Sequence, residues 1–262
     1  MVSQITIIFM VIAVIMGFAL PAGAALFCKF KFNSKFRPFI AGCIVFFAFV
    51  VVLESLVHSI MLGSDVGELI QKNIFFYALY GGLMAGLFEE TGRLFAFKYF
   101  FRKDMDDDHD ALMYAAGHGG FEAFYILVSA MISNLIMARL INSGQTDVIL
   151  QNLSGDALIA TKDVINQLIT IEPVTFLFSI LERISAMLMH VAFSVFVWFA
   201  VKENKYILFG IAILLHAAVD AITVLINSSI SSVLLVEVII FALALVCDYM
   251  AYMLYYRRNL SS

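Results

Sequence analysis

Glu89, Glu90 and Arg93 stand within five positions of one another, inside an apolar run from about Ile74 to Phe101. Burying an ionisable side chain at a bilayer centre costs about 3 kcal/mol even on lenient insertion scales. Three such residues in one run must therefore face protein or a water-filled cavity. On a helix Arg93 is four residues from Glu89 and three from Glu90, so it can reach either carboxylate. A structural ion pair locking two helices is the plain explanation, yet one guanidinium cannot neutralise two carboxylates. The spare glutamate is a candidate general base, able to take a proton from water.

Three of the five histidines, His118, His190 and His216, also fall inside apolar runs. Taken singly, an intramembrane histidine is more often an interhelical hydrogen-bonder than a catalyst; these three have company at helical spacing. Gly117-His118-Gly119-Gly120-Phe121-Glu122 puts His118 and Glu122 on one face, among glycines that permit close backbone approach. His216 and Asp220 share a face across small residues. Arg183 and His190 lie seven apart, two turns along one stripe. At about 1.5 Å of rise per residue, Glu89, His118, His190 and His216 lie about 10 to 18 Å from the basic-flanked ends of their runs. Four helices thus carry polar residues to one layer, which a single site explains and scattered hydrogen bonds do not. Glu182 and Arg183 fall towards the other leaflet by the same measure and read as a helix-packing ion pair.

Two carboxylates and three imidazoles can activate water directly, with a histidine and Asp220 polarising the carbonyl under attack. Three histidines and a glutamate are also a tetrahedral zinc set. The sequence offers no intramembrane Ser–His–Asp arrangement, no H-E-x-x-H and no cysteine placed with a histidine. Cys28, Cys43 and Cys247 have no paired spacing and read as small buried hydrophobes.

The elements that must position these residues are membrane spans. The 262 residues are 63% hydrophobic and 14% charged, with a mean hydropathy of +0.97, against about half and a quarter for soluble domains. Runs near 5–27, 38–62, 74–101, 111–141, 175–201, 206–226 and 233–256 are long enough to cross a hydrocarbon core. The first follows an N-terminus without a positive region and reads as an uncleaved span. Eleven Lys and Arg flank the spans on one side and three on the other. That asymmetry predicts an outside N-terminus and a cytoplasmic C-terminus, consistent with an odd number of spans. In the long 142–174 loop, Leu158, Ile159, Ile165, Leu168 and Ile169 recur at helical spacing and predict a short interfacial helix.

Glu-Glu-x-x-Arg on one span, Gly-His-Gly-Gly-x-Glu on the next, Arg-(x)6-His on another and His-x-x-x-Asp on a fourth resemble the YhfC/PrsW-type membrane peptidases. These belong to a wider group of glutamic-type intramembrane proteases that includes the CAAX prenyl endopeptidases and bacteriocin-immunity proteins. The resemblance covers roughly residues 74–226. It implies Glu89 or Glu90 as base, with His118, His190 and His216 as water and oxyanion partners. It further implies that Arg93 orients the glutamate pair and Asp220 orients His216. CAAX-type enzymes space the arginine one residue further from the glutamates, so a prenylated substrate is not implied.

The expected protein is an all-α, seven-span, multi-pass integral membrane protein, one domain over 1–262 with a peptidase core at 74–226. The expected activity is endopeptidase cleavage of membrane-embedded or membrane-anchored protein substrates in the lipid bilayer, with no nucleic acid partner. Its catalytic set is Glu89, Glu90, Arg93, His118, Glu122, His190, His216 and Asp220, working without an obligatory cofactor. A zinc enzyme using the same residues is the first alternative. A proton- or cation-coupled transporter is the second, although repeat symmetry is absent. A non-catalytic receptor or immunity protein that keeps the cluster as structure is the third.

Overall fold

A computed structural model describes residues 1–259; the C-terminal end that the charge pattern assigns to the cytoplasm lies outside the described residues. The described chain is helical throughout, without a strand. Helices α1 (Gln4–Phe32), α2 (Phe36–Leu62), α5 (His109–Asn142), α8 (Thr175–Lys202), α9 (Ile207–Ser229) and α10 (Val233–Asn259) are long and apolar enough to cross a membrane. Between α2 and α5 lie the short α3 (Asp65–Lys72) and the long α4 (Ile74–Ala96), which continues into a π-helical turn, Phe97–Phe101. α4 is the seventh long helix, and its hydropathy is lowered by Glu89, Glu90 and Arg93 themselves. α6 (Asp147–Leu150) and α7 (Gly155–Thr170) occupy the long loop, where the apolar spacing predicts a short helix. The seven long helices match the seven predicted runs to within a few residues at each end.

Helix starts follow from local chemistry. Ser3 Oγ accepts from Thr6 N at 3.1 Å ahead of α1, and Ser64 Oγ accepts from Gly67 N at 3.2 Å ahead of α3. Asn73 Oδ1 accepts from Phe75 N at 2.9 Å and from Phe76 N at 3.3 Å to open α4. Inside α2 the stretch Phe47–Glu54 is π-helical: Ser55 N–H reaches back five residues to Val50 O.

The chain forms two compact units. One comprises Met1–Ala19 and Phe124–Leu181. There the Asn142 side chain clamps Val2, accepting from its N–H at 2.7 Å and donating to its carbonyl at 3.0 Å. Phe18 meets Phe124 edge-on at 5.0 Å. The other unit comprises Leu20–Ala123 and the chain from Glu182 onward. Its core holds Phe97, Tyr114 and Trp198, with Phe97 4.6 Å from the Tyr114 ring and 5.1 Å from that of Trp198. Its basic ends are tied by the 102–108 loop: Arg37 pairs with Asp104 at 2.8 Å, and Lys202 with Asp108 at 2.5 Å. Arg102 donates to Asn204 Oδ1 at 2.8 Å.

Polarity is distributed as lipid solvent requires. Phe30, Ile44, Ile60, Phe75, Ile136 and Leu214 are exposed, while Glu89, Glu90, Arg93, His118, His190 and His216 are buried.

Candidate active site

α4 and α9 approach backbone to backbone. A Cβ on Gly82 would fall 2.3 Å from Ala217 O, and one on Gly86 would fall 2.8 Å from Ile213 O, so only glycine lets the helices meet this closely. That approach sets His216, the neighbour of Ala217, over the α4 glutamates. His216 Nδ1 lies 2.7 Å from Glu90 Oε1, and its Nε2 lies 3.9 Å from Glu89 Oε1. Arg93 pairs with Glu90, both side chains fully buried, and its Nη2 lies 3.0 Å from His190 Nδ1.

α5 and α8 supply the rest. His118 Nε2 is 3.0 Å from Glu89 Oε2, and its Nδ1 is 3.5 Å from the Tyr114 hydroxyl one turn earlier. A Cβ on Gly119 would lie 2.6 Å from His190 Cδ2, so the missing side chain is what lets the imidazole lie against α5. His190 Nδ1 is 3.7 Å from Glu89 Oε2, and its Nε2 bonds Glu122. The rings of His118 and His190 are 5.2 Å apart, and those of His190 and His216 5.8 Å. Glu89 therefore sits among three imidazoles from three other helices. Each turns one nitrogen to it and has the other held by Tyr114, Glu122 or Glu90. An arginine only donates, so His190 Nδ1 accepts from Arg93 and Nε2–H donates to Glu122.

Residues 16–240 match a family described as YhfC intramembrane metalloprotease. The chain belongs to this family. It is also 33% identical over 226 residues to the uncharacterized membrane protein YhfC of Bacillus subtilis (strain 168), an alignment covering 86% of each chain. No solved structure matches the chain. Membership of the YhfC family makes this a multi-pass integral membrane protein of the intramembrane protease kind. The family description names a metal, where the sequence reading expects none to be obligatory.

The residues present fit a metal. One ligand atom each from Glu89, His118 and His190 lie within 4.8 Å of one another, all three residues buried. Imidazole nitrogen and carboxylate oxygen are zinc donors. His190 Nε2–H is held by Glu122, the outer carboxylate contact that orients a ligating histidine, so a metal would take the Nδ1 lone pair that Arg93 otherwise engages.

A cavity of about 90 Å³ opens beside this cluster, lined by Glu89, Glu122, His190, His216 and Asp220 among others. It has room for several waters. Glu90, Arg93 and His118 stand behind this lining. Asp220 Oδ2 is 3.6 Å from His216 Nε2, beyond hydrogen-bond reach. Arg93, which can reach either glutamate by spacing alone, has Glu90 and His190 as its partners. Glu182 and Arg183 also line the cavity. Arg183 lies 2.5 Å from both Glu122 and Glu182, so the expected packing pair is joined to the site. Sequence reasoning missed Tyr114, although its place four residues before His118 was a usable signal.

Proposed function

We propose that this member of the YhfC family hydrolyses peptide bonds of membrane-associated proteins, with Glu89 as the residue that takes the proton from water. The observation that carries this reading is the convergence of His118, His190 and His216 on Glu89, while Glu90 is occupied by Arg93 and His216. The whole chain is read as one membrane domain with its core at 74–226, and its basic ends are read as cytoplasmic.

Glu89 Oε2, His118 and His190 would hold a divalent metal, which when bound would acidify water and polarise a carbonyl. The remaining oxygen, Oε1, takes a proton as the water oxygen bonds to the scissile carbonyl carbon. The carbonyl π pair moves onto its oxygen, which accepts a hydrogen bond from His216 Nε2. With carboxylates facing both its nitrogens, His216 is placed to donate from both. The C–N bond then breaks, and the proton held by Glu89 Oε1 passes to the leaving nitrogen. Glu90, Arg93 and Glu122 hold the rings that do this, and Asp220 adds negative charge beside His216.

The test is cleavage of a membrane-anchored reporter by purified protein in lipid. Glu89→Gln keeps size and shape and removes the proton acceptor, so turnover should fall by about 10²–10⁴-fold. Glu90→Gln should fall less, because it loses a positioning contact only. Unchanged cleavage by well-folded Glu89→Gln would remove the hydrolytic role. Proton-dependent flux lost in the same variant would put the transporter in its place.

A further inference from the structure

A second cavity, of about 270 Å³, lies against another face of α8 and is walled by Val191, Val195 and Phe199. His109 and Tyr255 stand at one end, their rings 6.3 Å apart, and Tyr255 is also 6.3 Å from the Phe199 ring. That end is the one tied by the 102–108 loop, which carries Arg102 and Lys103 beside four aspartates. Asp248, which also lines the cavity, precedes Tyr255 by seven residues and so lies about 10 Å deeper along α10.

Asp248 Oδ1 is buried without a hydrogen-bond partner among the described residues. The other charged groups at the cavity are engaged: Asp108 accepts from Lys202 and from Trp198 Nε1, and His109 pairs with Asp107. A carboxylate oxygen at the foot of an apolar shaft calls for a cation that brings its own apolar stem.

We propose that this cavity binds a primary ammonium on an unbranched alkyl stem, and that its natural occupant is a lysine side chain from the juxtamembrane segment of another membrane protein. The apolar walls match the methylenes, and Asp248 matches the ammonium. The end lined by Asp108 and His109 lies at the level of Lys202, where membrane proteins concentrate lysine. An acyl chain would fill the walls and leave the carboxylate unpaired. An aminophospholipid carries its ammonium at the surface, about 10 Å above Asp248.

Trp198 is the chain's single tryptophan, and its Nε1 lies 2.7 Å from Asp108 at the cavity, so its fluorescence reports on occupancy. Full-length protein in detergent is titrated with n-pentylamine and, separately, with n-pentanol at a pH where the amine is charged. The amine should give a saturable change, with the alcohol at least about tenfold weaker, the scale of one hydrogen bond to a charged group. Asp248→Asn should weaken amine binding by a similar factor, and Glu89→Gln should leave it unchanged. Equal responses to amine and alcohol, or no saturable amine response, overturn the proposal. That comparison uses the wild-type protein alone and holds even if Asp248→Asn folds poorly.

Discussion

Glu54 and Glu89 are both buried glutamates, 5% and 6% exposed, and both have an imidazole in reach. Glu54 takes its imidazole from its own helix: His58 Nε2, one turn on, lies 3.2 Å from Glu54 Oε1, and His58 Nδ1 lies 2.9 Å from the Tyr80 hydroxyl. Two helices close that cluster, and none of its members lines the cavity of about 90 Å³. Glu89 takes imidazoles from α5, α8 and α9, beside a cavity with room for substrate atoms. Residues four apart share a face, and that alone makes a local hydrogen-bond pair, here through Glu54 Oε1 only. Convergence from several helices is what exposes reactive atoms to a common space.

The largest expected contrast is catalytic. His190→Ala should lower reporter cleavage by about 10²–10⁴-fold, whereas His58→Ala should stay within about threefold of wild type. Equal losses at both positions would erase the distinction.

Stability should differ next. Arg93→Ala leaves Glu90 buried without its cation and should cost about 3–5 kcal/mol, the penalty for breaking a buried pair. Tyr80→Phe removes one neutral hydrogen bond and should cost about 1 kcal/mol. Unfolding in detergent, followed by denaturant titration, measures both.

Metal affinity gives a finer test. Glu122→Gln should weaken zinc binding by about 10–100-fold, the usual effect of an outer partner, while Glu54→Gln should leave it unchanged. Metal analysis after competition with a graded chelator reads this without any activity assay. A chain that holds no zinc at all would favour acid–base catalysis by Glu89 and the histidines alone. The smallest effect is at Tyr114→Phe, where the 3.5 Å contact to His118 predicts a loss of about threefold or less in turnover.

Much of this was legible in the sequence, because lipid imposes a strong pattern. The seven apolar runs reappear as seven long helices, and the shared depth of Glu89, His118, His190 and His216 reappears as ring separations under 6 Å between neighbouring histidines. Partner choice was not legible. His118 and Glu122 share a face, yet His118 turns to Glu89 while Glu122 turns to His190 and Arg183. Spacing fixes a direction round the helix axis, and the neighbouring helices decide who meets whom. Glu54 escaped notice for the converse reason, since its only sequence signal is His58 four residues on. The π-helical turns left no trace either, because one wide turn barely disturbs an apolar run.

The wide turn at Phe47–Glu54 bears on how α2 can change length. A π turn holds one residue more than the α path it replaces, so the helix on either side keeps its original phase. Deleting a residue elsewhere in α2 would rotate everything beyond it by about 100° and turn Glu54 or Gly42 away from its neighbours. Deleting one within Phe47–Glu54 would instead close the turn to ordinary α geometry, with Gly42 still against α5 and Glu54 still facing inward. Deletions in this span are therefore expected to collect at that one stretch.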